Sequence, residues 1–320
     1  MDIIEQAVKR LEELRSAGVE VPSNVLPLDG VAAGAEMLAR RDHRDNPTAP
    51  GAKVQPAGAA IESKRIELDM QALAARGIVT PGSARSQLGD ELRIIKRPLL
   101  RNEAGKSAAP IRDANLIMIT SALPGEGKTT ISANLAMSIA MELDHTVLLV
   151  DADVARPSMP GLFGFGYQKG LLDLLTDDSL DLSQVLLRTN VESLSILPAG
   201  TQHPRATELL ASGAMNKLLV DMSRRYSDRI IIFDSPPLLL TTESRVLAAH
   251  MGQVVLVVRA ETTLQRDVMR ALAMIDACPV KMALLNGGRG SVDQQGYGYG
   301  YGYGYGHDAS QPVEQEGARQ

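Results

Sequence analysis

A chain of 320 residues is long enough for one large domain or two, and 44% hydrophobic residues supply a sizeable core. With aromatics at 3% and no tryptophan, that core must be built from Leu, Ile, Val, Ala and Met. A net charge of −5 argues against non-specific nucleic-acid binding, and a single cysteine, Cys278, excludes an internal disulfide framework and fits a reducing compartment.

At the N-terminus, Ile3, Ile4, Ala7, Val8, Leu11 and Leu14 recur at helical spacing opposite Glu5, Lys9, Arg10, Glu12 and Glu13. This predicts a short amphipathic helix ending near Gly18. Its polar face mixes both charge signs, so docking on the main domain or a partner is expected rather than membrane insertion. MDIIEQAVKR has no signal-peptide pattern, and no run approaches the roughly 18–20 apolar residues of a membrane span. A cytoplasmic location is therefore expected, with any recruitment to the inner face of the membrane left to a partner. Residues 25–58, rich in Ala, Gly, Pro and charge, read as a flexible linker. Residues 1–64 are thus set apart from a domain over 65–290.

IELDMQALAARG predicts a strand-like start and a short helix, and a second helix from about Ser83 must end before Pro98. On that helix Asp90, Arg93 and Lys96 fall three apart and share one face, which by itself describes a solvated charged stripe. From Leu116 onward, apolar runs at 116–119, 147–150, 194–197, 230–233, 254–258 and 282–285 alternate with helical stretches. Continuous runs of this kind suit parallel strands buried on both faces. The expected fold is α/β: a doubly wound, mostly parallel sheet with ligands at the carboxyl ends of its strands. Cys278, in an apolar helical stretch before Pro279, is expected to be a buried structural thiol.

Three stretches carry chemistry. LIMITSALPGEGKTT, residues 116–130, reads as a strand, a turn containing Pro124, Gly125 and Gly127, and a helix from Thr129. That order makes a phosphate-binding loop, in which the segment Gly125, Glu126, Gly127, Lys128, Thr129 and Thr130 surrounds a polyphosphate. Lys128 would reach the β- and γ-phosphates, and the Thr129 hydroxyl would hold Mg²⁺. Ala122 stands where the pattern G-x-x-x-x-G-K-[ST] has its first glycine; the strand before and the helix after supply the missing context. In VDADVARP, Asp151 and Asp153 are two residues apart at a strand's end, so both carboxylates can face one cation. IIIFDSPP puts Asp234 at the end of a buried strand, the Walker B position that organises a metal through its water shell. Together these predict a nucleotide·Mg²⁺ site. The five histidines are scattered, and no Cys/His cluster suggests zinc.

Past Asn286 the pattern gives way to GGRGSVDQQ and then to Tyr297, Tyr299, Tyr301, Tyr303 and Tyr305 alternating with glycine. Glycine at every second position predicts a disordered tail over 291–320 that presents each phenol to a site with little steric hindrance.

PGEGKTT, VDADVARP and DSPPLL together resemble the bacterial tyrosine kinases, P-loop kinases of exopolysaccharide and capsule assembly. LPAG at 197–200 and the tyrosine-rich C-terminus are also similar to that family. IIEQAVKRLEELR with ELRIIKRPLL looks most like the autokinases beside exosortase-linked polysaccharide loci. The resemblance implies a MinD/ParA-like P-loop fold and ATP-dependent tyrosine autophosphorylation. It implies Lys128 and Thr129 as Walker A ligands, Asp151 and Asp153 as the second-motif pair, and Asp234 as the Walker B residue. Asp151 would also help deprotonate the attacking tyrosine, and Asn286 would contact adenine. The acceptors would be tyrosines 297, 299, 301, 303 and 305, reached in trans from a neighbouring subunit of a homo-oligomer. The family's subunit-contact pattern E-x-x-R-x-x-R, within a helix over about 84–97, maps on Asp90, Arg93 and Lys96, with two of the three changed. The implied partner is a membrane chain-length determinant protein of the polysaccharide machinery. Glu243, where an Asp is more usual, receives no role. Two other readings remain at this point: a ParA/MinD-type ATPase switch, whose usual extra P-loop lysine is missing from residues 121–125, and a non-catalytic scaffold that uses ATP only to assemble.

Overall fold

The computed structural model describes residues 64–288 apart from Ala84 and Ser227. The helix expected over residues 3–14, the linker at 25–58 and the five tail tyrosines lie outside the described residues.

Eight strands form one sheet: β1 (Lys64–Arg65), β2 (Leu116–Ser121), β3 (Thr146–Asp151), β4 (Leu187–Arg188), β5 (Leu194–Leu197), β6 (Arg229–Asp234), β7 (Gln253–Arg259) and β8 (Val280–Asn286). Their order is β1-β4-β5-β3-β6-β2-β7-β8, and only the short β4–β5 pairing is antiparallel. The helices are α1 (Met70–Ala75), α2 (Gln87–Glu103), α3 (Lys128–Ala140), α4 (Met159–Phe163), α5 (Leu171–Thr176), α6 (Leu182–Val185), α7 (Ala206–Leu210), α8 (Gly213–Arg225), α9 (Glu243–Ala248) and α10 (Gln265–Met274). This is the expected doubly wound arrangement. Successive residues of β2 enter different cores: Leu116 and Met118 join one cluster, Ile117 and Ile119 the other. Two-sided burial explains why the central strands carry no polar alternation.

β8 departs from that expectation. It is the last strand in the sheet, and its burial alternates, with Leu284 inside and Leu285 69% exposed. The run 282–285 is therefore an edge strand with one solvated face, since only β7 flanks it. Cys278 is buried as expected, but in the turn leading into β8 rather than in a helix. Its Sγ lies 3.2 Å from the Val280 carbonyl oxygen, and burial pushes the thiol pKa up.

α2 also differs. It starts at Gln87, capped by the Ser86 hydroxyl accepting from the Gly89 N–H, and it runs through Pro98 instead of stopping before it. An internal proline removes a helical hydrogen bond and costs about 3 kcal/mol. Complete burial of Leu92 and Leu99 offsets this, at roughly 1.5–3 kcal/mol for each side chain. The same inward stripe carries Lys96, only 5% exposed. Its Nζ donates to the Ser138 carbonyl at 2.7 Å and pairs with Glu142 at 2.5 Å, at the far end of α3. The expected common face of Asp90, Arg93 and Lys96 is thus broken. Asp90 and Arg93 pair with each other on the outer side, while Lys96 is committed to its own fold.

α3 is the hub. Every residue from Ile131 to Ala140 is buried, and its N-terminus is the end of the P-loop. Asn134 accepts from the Val79 N–H at 2.7 Å and donates to the Gly77 carbonyl at 3.0 Å, fastening the segment after α1 to this helix.

Candidate active site

The loop between β2 and α3 bends where the glycines allow it. Gly125 and Gly127 have φ of +78° and +97°, the left-handed region that side chains disfavour. A Cβ on Gly127 would also fall 2.2 Å from Asn286 Nδ2. Ala122, by contrast, is not among the positive-φ residues, and its methyl group is fully buried, so a glycine is not required there. Peptide N–H groups of the loop and the first turn of α3 are left to bind an anion, reinforced by the helix dipole.

The loop is held from behind. Glu126 is buried; its carboxylate accepts from the Leu123 N–H at 2.8 Å and from the Thr263 hydroxyl in the β7–α10 connection. Its side chain is therefore structural, and only its backbone remains for a phosphate. Asn286, at the end of β8, donates its Nδ2 to the Glu126 carbonyl at 2.9 Å. The Thr120 hydroxyl donates to the Pro236 carbonyl at 2.9 Å and so ties the P-loop strand to the segment after β6. Thr263 is not suggested by the sequence, and no local pattern marks it.

Two carboxylates form the floor. Asp151 and Asp234 are register partners at the ends of β3 and β6, and both are fully buried. Neither oxygen of Asp151 makes a hydrogen bond within 3.5 Å; burial and then the neighbouring Asp234 charge hold its pKa well above the usual range, against the pull of the Met159 and Asp153 backbone N–H groups. Asp234 Oδ1 accepts from the Ser132 hydroxyl at 3.1 Å, while Oδ2 has no partner. Burial raises its pKa to about 6, against the pull of the Thr129 hydroxyl and Lys128. Asp153 stands apart on the wall, its Oδ2 3.6 Å from Lys128 Nζ. Burial pushes its pKa up and the lysine opposes this. The Thr129 hydroxyl meets the Ser158 hydroxyl at 2.9 Å, a contact the sequence does not suggest. Lys128, Thr129, Asp153, Arg156 and Ser158 line an open cleft of about 370 Å³.

Oxygens this buried and this poorly partnered suit a divalent cation. Among the described residues no three His, Cys, Asp or Glu side chains are arranged to hold a metal.

A phosphate cradle at the carboxyl end of a parallel sheet, with carboxylates ending β3 and β6, defines a P-loop nucleotide-binding protein. A family model described as an AAA domain matches residues 114–279. Tyrosine-protein kinase YwqD of Bacillus subtilis is 31% identical over 214 residues, covering 66% of this chain and 86% of that one. The putative tyrosine-protein kinase EpsB of Ralstonia nicotianae is 33% identical over 168 residues, 52% of this chain but only 22% of the Ralstonia protein. The kinase domain of the Escherichia coli tyrosine kinase ETK superposes with a TM-score of 0.57 at 26% identity, over 75% of this chain and 94% of that domain. The chain belongs to the bacterial tyrosine kinase family. These relatives are tyrosine kinases rather than switches of the ParA/MinD type.

Proposed function

We propose that this chain is an ATP- and Mg²⁺-dependent protein-tyrosine kinase that phosphorylates the tail tyrosines of a neighbouring copy, and that it regulates exopolysaccharide or capsule assembly. The observation that carries the reading is the P-loop lysine facing Asp153 beside two buried carboxylates with unpartnered oxygens. In the transfer, a phenolic oxygen bonds to the γ-phosphorus as the bond to the β–γ bridging oxygen breaks. ADP leaves, and the phenolic proton passes to a carboxylate, to which we assign Asp151. Lys128 would neutralise the phosphate oxygens. The Thr129 hydroxyl, Asp151, Asp153 and Asp234 would hold Mg²⁺ directly or through water. Mg²⁺ supplies charge stabilisation to a reaction that otherwise asks mainly for positioning.

Gly125 to Thr130 form the phosphate cradle, and Asn286 is assigned to the adenine while it braces the loop. Asp90 and Arg93 remain the candidates for a contact between copies; Lys96 does not. The partner in this reading is a membrane chain-length determinant protein, which would recruit the kinase to the membrane through its cytoplasmic segment. No helix among the described residues is long and apolar enough to cross a membrane.

The test is peptide mass spectrometry after incubation with ATP and Mg²⁺, with Lys128→Met alongside. Phosphate on the peptide spanning residues 297–305, lost in the variant, is the expected result. ATP hydrolysis without phosphotyrosine, even with the partner's cytoplasmic segment added, would refute the kinase reading.

A further inference from the structure

At the amino ends of the strands, opposite the nucleotide cleft, the sheet bears a polar groove of about 320 Å³. Thr146 begins β3 and Arg229 begins β6, and the two are register partners. Arg188 of β4 is likewise the partner of Ser195 of β5. Strand alternation turns these four to one side of the sheet, since Leu187, Leu194 and Ile230 beside them enter the core on the other side. Glu192 and Ser193, in the β4–β5 connection, and Tyr226, just after α8, complete the wall. Asp151 lies at the other end of β3 from Thr146, about 16 Å along the strand, so the groove is separate from the phosphate cradle.

The cations of this groove are not spent on the fold. The Arg229 guanidinium lies over the Tyr226 ring, 4.7 Å from its centroid, and its Nε is buried with no hydrogen-bond partner. Among the described residues neither Arg229 nor Arg188 forms an ion pair. Thr146 Oγ1 is also buried without a partner. A half-buried guanidinium with no anion beside it carries a desolvation cost that an anionic ligand would offset. The aromatic ring steadies the guanidinium, whose planar fork of N–H donors matches the oxygens of a phosphate. Ser183, also on the wall, is already committed, its hydroxyl donating to Asp181 at 2.7 Å.

We propose that this groove binds a phosphorylated sugar, with the phosphate on Arg229, Arg188 adding positive charge, and the sugar hydroxyls towards Glu192, Ser193 and Ser195. This goes beyond the kinase reading and does not rest on it. A site for a bare anion gains nothing from a carboxylate beside its arginines. Glu192 is exposed and has no ion-pair partner among the described residues, so its oxygens are open to hydroxyl donors. Serine hydroxyls both donate and accept, as the hydroxyls of a sugar require.

The dimensions agree. The strand order β4-β5-β3-β6 sets the backbones of Arg188 and Arg229 three strands apart, about 14 Å. Both side chains reach into the space between, which leaves a length suited to one sugar ring and one phosphate. The volume, about 320 Å³, is at the small end for ligand pockets, so a compact ligand fits and a dinucleotide does not.

The experiment is calorimetric titration of glucose 1-phosphate into the full chain saturated with ADP and Mg²⁺, so that the phosphate loop is already filled. Inorganic phosphate is titrated alongside. One glucose 1-phosphate per chain is expected, bound about tenfold or more tighter than phosphate. Arg229→Gln should weaken glucose 1-phosphate about tenfold or more, and Arg229→Lys, which keeps the charge without the fork, by less. Arg188 and Glu192 are exposed, so their variants test the site even if Arg229→Gln fails to fold. Arg188→Ala should weaken both ligands. Glu192→Ala should weaken glucose 1-phosphate about three- to tenfold and strengthen phosphate, because it removes a hydroxyl acceptor and a like charge. No binding of glucose 1-phosphate, or binding unchanged in Arg188→Ala and Glu192→Ala, would overturn the site. Glu192→Ala tightening both ligands would overturn the sugar and leave a bare anion site. ADP affinity should stay the same in every variant, and a loss in parallel with glucose 1-phosphate would overturn the separation from the nucleotide cleft.

Discussion

Replacing Asp234 by asparagine should make the metal-free protein more stable while removing its activity. The carboxylate is fully buried, and one oxygen has no partner. A folded-state pKa of about 6, against an ordinary 3.8, corresponds to roughly 3 kcal/mol of unfavourable charge burial at neutral pH. Because the folded state holds the proton more tightly, stability from this group is fully present below about pH 4. It is lost as pH rises to about 6 and stays lost above. Asparagine keeps an oxygen to accept from Ser132 and carries no charge. It also relieves Asp151, whose pKa is raised by burial first and by Asp234 next. Urea unfolding in EDTA without nucleotide is the assay. The variant should exceed wild type by roughly 3 kcal/mol at pH 8, with the gap closing towards pH 4. Tail phosphorylation should be abolished. A variant no more stable than wild type at pH 8, or a gap that does not change with pH, would refute the reasoning.

Asn286→Ala removes the amide that braces the Glu126 carbonyl, and about 0.5–1.5 kcal/mol should appear as a two- to tenfold weaker ATP affinity by calorimetry. Lys96→Met leaves the Ser138 carbonyl and Glu142 without their donor and should lower stability by roughly 1–3 kcal/mol in denaturant melts. The hydrogen bond from Lys96 holds the Glu142 carboxyl below its usual range. In wild type that contribution is present above the ordinary glutamate pKa and lost as pH falls through the lowered one, and the variant should lack this acid-side loss. ATP added with Mg²⁺ to EDTA-treated protein should stabilise it by about 2.7 kcal/mol at a hundredfold excess over Kd, read as a higher melting temperature, and EDTA should reverse the gain.

The phosphate loop is legible in the sequence because its chemistry is local. Glycines, a lysine and a threonine within one turn declare the cradle, and an aspartate after an apolar run declares a strand's end. What braces the cradle is not legible, because its partners are far apart in sequence: Glu126 reaches Thr263 and Asn286 across 137 and 160 residues. Spacing alone groups Lys96 with Asp90 and Arg93, which misplaces it. It also falls four residues after Leu92 and three before Leu99, on the helix's apolar stripe, and that pattern points inward. Pro98 reads as a stop because propensity is local while the burial of Leu99 is not. The run 282–285 is apolar throughout, and only the strand order reveals that one of its faces meets solvent.

Cys278, the single cysteine, gives the fold a built-in reporter. It is buried at the start of β8, and Asn286 at the other end of that strand grips the P-loop. A thiol reagent reaches this sulfur when the turn before β8 opens, so the labelling rate reports opening at that end of the strand without a fluorophore or an introduced mutation. If nucleotide in the cradle steadies the loop that Asn286 grips, adding it should slow labelling at a sulfur atom a strand's length away.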